Sequence, residues 1–110
     1  MAAHFELKKT ANGQFMFNLK AGNGEIILTG SMHKEKEAAA RDIEVVRNGA
    51  ANEARYERKT ASNGQHFFVL KGETGETAGR SEQYASASGM ENGIASVKKN
   101  APAATVKEAP

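Results

Sequence analysis

The sequence predicts an α+β fold: tandem β-β-β-α repeats forming one antiparallel six-stranded sheet, with two helices packed on one face. Three observations predict it. The 110-residue chain aligns with itself at a shift of 51 positions, without a gap, so that residues 5–50 meet residues 56–101. Thirteen aligned pairs are identical, among them Asn12 with Asn63, Phe17 with Phe68, Gly24 with Gly75, Ile43 with Ile94 and Val46 with Val97, and they spread over turns, strands and helix alike. Within each half, the apolar spacing starts at a period of two and ends near 3.6. Glycine-rich turns fall at equivalent places in the two halves.

Phe5 to Thr10 reads as the first strand. Asn12-Gly13 tolerates positive φ at both centres of a type I′ turn, and Gln14 to Lys20 returns antiparallel with Phe15, Phe17 and Leu19 on one face. The turn Ala21-Gly22-Asn23-Gly24 leads into a third strand, Glu25 to Gly30. A helix follows: Ala39, Ile43, Val46 and Ala50 form one apolar stripe, Lys34 to Glu37 a charged first turn, and Asn48-Gly49 a C-cap signal. The second half repeats the pattern with strands Tyr56 to Thr60, Gln65 to Lys71 and Glu76 to Arg80, turns at Asn63-Gly64 and Gly72 to Gly75, and the stripe Met90, Ile94, Val97 and Ala101. Its helix can start at Ser88-Gly89-Met90-Glu91, which has capping-box spacing, and Gly93 inside it implies a close helix-to-sheet contact. Residues 1–101 are expected to form a single domain, because a chain this short buries one modest core. Residues 51–54 are expected to link the repeats, and residues 102–110, which show no periodicity, to form a disordered tail.

Fifteen Lys and Arg against thirteen Asp and Glu leave a net charge of +2, and there is no Cys or Trp. Disulfide scaffolds, cysteine-ligated metal sites and cysteine nucleophiles are therefore excluded. No apolar run approaches the roughly 18 residues of a bilayer span, and the stretch from Met1 to Leu7 turns polar too early for a signal sequence, so the expected location is the cytoplasm.

Gly64-Gln65 before an aromatic strand, the element Ser81-Glu82-Gln83-Tyr84 and the helix Glu91 to Ala101 resemble the small bacterial YegP-like family of tandem-repeat proteins, over nearly the whole chain except the tail. The second copy is the closer match. The first departs where Gly30-Ser31-Met32-His33 replaces a Ser-Glu-x-Tyr element and Arg41-Asp42-Ile43 replaces Asn-Gly-Ile. The resemblance implies a fold rather than an activity, and it supplies no catalytic residue and no cofactor to carry over.

The residues themselves supply none either. His4, His33 and His66 lie 29 and 33 residues apart, with neither an i, i+4 histidine pair nor HExxH, so no metal is expected. There is no Gly-x-Ser-x-Gly elbow, and the glycine-rich stretches lead into strands rather than helices, as hairpin turns do and phosphate loops do not. The protein is expected not to be an enzyme and to need no cofactor. His66 is expected to be a half-buried strand residue and His33 a surface residue at the strand-to-helix junction.

Two helices cover one side of such a sheet and leave the other open. If Phe15, Phe17, Leu19, Phe68 and Leu70 point to the helices, alternation sends Met16, Asn18, Lys20, Phe67, Val69 and Lys71 the other way, joined by Glu6, Lys8, Glu57 and Lys59. Phe67 and Val69 are large apolar groups where alternation predicts solvent. Either the sheet curls or the tail folds back over them, or they belong to an interaction surface. The candidate surface is Phe67, Val69, Lys59, Lys71 and Arg80. The expected role is a non-catalytic binding or structural module acting through protein–protein interaction or self-association. The alternative is single-stranded nucleic acid stacking on Phe67, with no membrane partner expected.

Overall fold

Four hairpin turns share one backbone design. In the first, the Gly13 N–H donates to the Thr10 carbonyl at 3.0 Å and the Thr10 N–H to the Gln14 carbonyl, closing a three-residue loop. Gly13 takes φ of 84°, as does Gly64 in the equivalent turn, while no non-glycine among the described residues has positive φ. The turn is therefore not type I′: Asn12 and Asn63 keep ordinary backbone angles, and only the glycine occupies the left-handed region. The Asn side chain works instead as a local acceptor, Asn63 Oδ1 taking the Gln65 N–H at 3.0 Å.

The computed structural model describes residues 3–108. Strands β1 (His4–Lys9), β2 (Phe15–Lys20) and β3 (Ile26–Thr29) precede helix α1 (Lys36–Gly49); β4 (Tyr56–Thr60), β5 (His66–Lys71) and β6 (Thr77–Arg80) precede α2 (Ala87–Asn100); and β7 (Thr105–Glu108) closes the chain. The sheet order is β4-β5-β6-β3-β2-β1-β7. The fold class is α+β with a single sheet, as expected, but that sheet has seven strands and is mixed rather than six-stranded and antiparallel, because β7 lies parallel to β1. Residues 105–108, expected in a disordered tail, thus pair with the edge of β1; Ala109 and Pro110 lie outside the described residues. The segment is drawn there by contacts distant in sequence. Arg47 Nη2 donates to the Ala104 carbonyl at 2.5 Å, Ala104 is buried, and Lys36 forms an ion pair with Glu108. The linker likewise has form: a 3-10 turn at Glu53–Arg55, matched after α2 by Ala101–Ala103.

The helix stripes meet the alternate strand residues in one core. Ala39, Ile43, Val46 and Ala50 of the first half and Met90, Ile94, Val97 and Ala101 of the second share it with Phe5, Leu7, Phe17, Leu19, Phe68 and Leu70. Both helices therefore cover the same sheet face. Helix α2 is capped by Ser86, whose Oγ accepts the Gly89 N–H at 3.1 Å, two residues earlier than the capping-box spacing placed it. Gly49 is the last residue of α1 rather than a cap beyond it.

The repeats meet where β3 and β6 pair through Thr29 and Arg80. Some duplicated positions diverge where close packing leaves no room for a second side chain. Leu28 fills the space over Gly79, where an added Cβ would lie 2.6 Å from its Cδ2. The Phe17 ring lies against Gly30, 2.1 Å from where a Cβ would stand. Gly93 makes room for the Tyr84 hydroxyl and faces the Phe68 ring, so its contact is with the junction as well as the sheet. In the first repeat the same two positions hold His33 and Asp42, joined at 2.6 Å between Nε2 and Oδ2. His33 is thus half-buried and partnered, not a free surface residue.

Gly30→Ala should lower unfolding stability by about 1–3 kcal/mol, because the Phe17 ring must move; an unchanged urea midpoint would contradict that packing. A second expectation concerns acid. Hydrogen bonds from Arg58 and then Lys98 pull the Glu53 carboxyl from its ordinary 4.5 to about 2. A depressed folded-state value adds stability above the unfolded value and loses it as pH falls through the folded one. Stability should therefore decline from about pH 4.5 towards pH 2, and Glu53→Gln should make that limb shallower in thermal melts at stepped pH.

Candidate functional site: the helix-free sheet face

Pleat alternation and register lay one continuous row across the uncovered face: Glu57 beside Val69, then Arg80, Thr29, Asn18, Glu6 and Lys107. The row passes through the seam between the repeats, so both halves contribute to one surface. The five residues singled out from the sequence, Phe67, Val69, Lys59, Lys71 and Arg80, all lie on this face in neighbouring strands β4, β5 and β6.

Phe67 and Val69 are nevertheless only 9% and 6% exposed. The C-terminal segment, which sits at the far edge of the sheet, does not cover them. Their cover comes from the long side chains beside them. The Arg80 guanidinium lies over the Phe67 ring, 4.5 Å from its centroid, a stacking worth about 0.5–1 kcal/mol at an exposed site. Val69 sits between Glu57 and Arg80. Glu57 holds Lys59 at 3.2 Å and Lys71 at 3.3 Å, and these two ammonium groups keep its carboxyl below the usual range. Charged residues with apolar stems thus roof the two apolar groups.

The first repeat builds the same rows with different chemistry. Asn18 replaces Val69 and is 2% exposed, its Oδ1 accepting the Thr29 hydroxyl at 3.1 Å. Lys20 pairs with Glu6 at 3.2 Å. At the seam, Thr29, Ser31, Thr77, Arg80 and Glu82 line a shallow depression of about 440 Å³. No carboxylate among the described residues pairs with Arg80. Thr29, Ser31 and Thr77 were not singled out from the sequence, since only strand order reveals that β3 and β6 are neighbours; the doubled repeat was the one available signal.

Charge is unevenly shared between the two sides. Lys8, Lys20, Lys59, Lys71, Arg80 and Lys107 face the uncovered side, against the carboxylates Glu6 and Glu57, with Glu82 at the rim of the depression. The chain as a whole carries only +2, so its other surfaces are net acidic. The helix side holds a second hollow of about 190 Å³, lined by Val45, Asn48, Arg55, Glu73, Thr74 and Glu76. There Arg55 lies 3.7 Å from Glu73, and Thr74 hydrogen bonds lower the Glu76 carboxyl. His66 is half-buried, its backbone bridged to Tyr84. Among the described residues no cluster of three His, Asp or Glu could hold a metal ion, and no helix is long and apolar enough to cross a membrane.

The family described as a domain of unknown function, DUF1508, matches the chain twice, over residues 11–57 and 61–108. The second match runs to the end of β7, so the seventh strand lies within the family unit. The UPF0339 protein YegP of Escherichia coli is 49% identical over 108 residues, 98% of each chain, and a UPF0339 protein of Pseudomonas aeruginosa is 46% identical over the same length. The solution NMR structure of the E. coli protein superposes with a TM-score of 0.93, covering 98% of this chain and 93% of that one. A UPF0339 protein from Shewanella oneidensis, 41% identical and covering 98% and 92%, gives 0.92. By its two repeats, its sheet and these relatives, the chain belongs to the DUF1508 family, in company with the bacterial UPF0339 YegP proteins.

Proposed function

We propose that the chain is a non-catalytic binding module whose helix-free face docks an acidic segment of a protein partner, with Arg80 as the anchor. The observation that carries this reading is the excess of six cations over three carboxylates on that face, Glu82 at the rim of the depression included, around an arginine with no acidic partner among the described residues. Stacked on Phe67, the guanidinium is held in place before a ligand arrives, so less conformational freedom is lost in forming a bidentate pair with a carboxylate. The hydroxyls of Ser31 and Thr77 beside it add donors for the same group.

Two details favour protein over single-stranded nucleic acid. Phe67, the ring that bases would stack on, lies beneath Arg80, and its counterpart in the first repeat is Met16. A stacking platform needs open rings in succession.

Fluorescence anisotropy with a labelled glutamate-rich decapeptide and, separately, a 15-mer oligothymidylate separates these partners. The peptide should bind, weaken as salt rises, and lose at least about tenfold in affinity with Arg80→Ala, the loss expected for one charged hydrogen-bonded pair. Tighter binding of the oligonucleotide, or peptide affinity indifferent to Arg80→Ala, would overturn the reading.

A further inference from the structure

The two ends of the sheet are equivalent by duplication but differently occupied. Strand β1 and strand β4 correspond residue for residue, Phe5 to Tyr56, Glu6 to Glu57 and Leu7 to Arg58. The outer edge of β1 carries β7 in parallel register, Val106 beside Phe5, Lys107 beside Glu6 and Glu108 beside Leu7. The outer edge of β4 ends the sheet, and no strand among the described residues pairs with it.

Backbone polarity shows what that edge offers. In β5, His66 exchanges hydrogen bonds with Tyr84, and the Phe68 carbonyl accepts from the Ser81 N–H at 2.9 Å, so these residues turn their backbone groups towards the β6 side. Phe67 and Val69 therefore bond to their β4 partners Lys59 and Glu57, and antiparallel alternation leaves the N–H and C=O of Arg58 pointing outward. An edge with free donors and acceptors is a template for strand addition.

We propose that the β4 edge accepts, in parallel, an extended segment of a partner protein with the chemistry of β7: a β-branched apolar residue beside Tyr56, a lysine or arginine beside Glu57 and an acid beside Arg58. The register that seats β7 on β1 puts each of these opposite its complement. Arg58, which stands where β1 has Leu7, already holds Glu53 at 2.6 Å and Glu91 at 2.5 Å, so an incoming acid shares its guanidinium with them. The charges of β4 would repel most incoming strands, which is how exposed edges are usually protected, so the order base-then-acid selects the segment admitted. This site lies on the sheet's rim; it shares Glu57 with the open face but uses neither Arg80 nor the depression, so its test is separate from that of the acidic-segment reading.

The probe is the acetylated and amidated peptide Ala-Thr-Val-Lys-Glu, matching residues 104–108, titrated into the full chain and followed by amide NMR shifts. Saturable shifts should be confined to residues 55–60, with slowed exchange of the Arg58 amide. The charge-swapped peptide Ala-Thr-Val-Glu-Lys should bind several-fold more weakly. Arg58→Pro removes the outward N–H without touching the β4–β5 ladder and should abolish binding, whereas Arg58→Ala, which loses the ion pairs but keeps the N–H, should retain part of it. Shifts on His4 to Leu7 instead would mean exchange with β7. That result, absence of saturable shifts at residues 55–60, equal affinity for the two peptides, or undiminished binding by Arg58→Pro would overturn the proposal. If Arg58→Pro fails to fold, the comparison of the two peptides on the unaltered chain decides.

Discussion

Each repeat makes a small three-stranded ribbon with one apolar face, too small to bury that face alone, and the molecule exists because the two ribbons join edge to edge at β3 and β6. The joint is slender, one aligned pair, Thr29 with Arg80. Its stability comes from what the joined sheet allows above it. Helix α1 packs across β2 and β6, and α2 across β5 and β3, so each helix straddles the boundary and closes the core of the other repeat. Leu28 reaching over Gly79 is the same dependence in miniature, since a near-symmetric interface admits one leucine where two would collide.

The divergence between the copies follows from this arrangement. Where the core is shared, one copy becomes small so that the other can be large, as at Gly79 and Leu28. Where each copy has its own junction, the pair changes together: Tyr84 over Gly93 in the second repeat, His33 with Asp42 in the first. Clamps at the helix ends persist in altered form. Arg47 lies over Phe5 and holds the Ala104 carbonyl; its counterpart Lys98 lies over Tyr56 and pairs with Glu53. Each clamp fixes the segment before an edge strand, which is why β7 is a continuation of the repeat and no appendage. With both helices committed to one side, the opposite face is left to long charged side chains, and its basic character is the consequence that bears on binding.

Much of this was legible in the residues. The apolar stripes Ala39, Ile43, Val46 and Met90, Ile94, Val97 marked helices and core, because a 3.6-residue period has few other causes. Alternation likewise placed Phe67, Val69, Lys59 and Lys71 on the uncovered face. Whatever depended on neighbours far along the chain was not legible. Thr105 to Glu108 carries no strand pattern of its own and is ordered by β1 and by Arg47, 57 residues before the carbonyl it holds. The roof over Phe67 required knowing that β6 sets Arg80 beside β5. The Asn-Gly pairs misled for a local reason, since the same dipeptide serves a two-residue and a three-residue loop and only the length of the loop distinguishes them.

The fold depends on the two repeats forming one cooperative sheet, and native-state hydrogen exchange measures that directly. The backbone amides of β2 and β5, the central strands of the two repeats, should reach the same limiting free energy of opening and shift by the same amount when Leu28, at the joint, is shortened to alanine. Separate limits for the two strands, or a Leu28→Ala response confined to the first repeat, would show two independent lobes and contradict it.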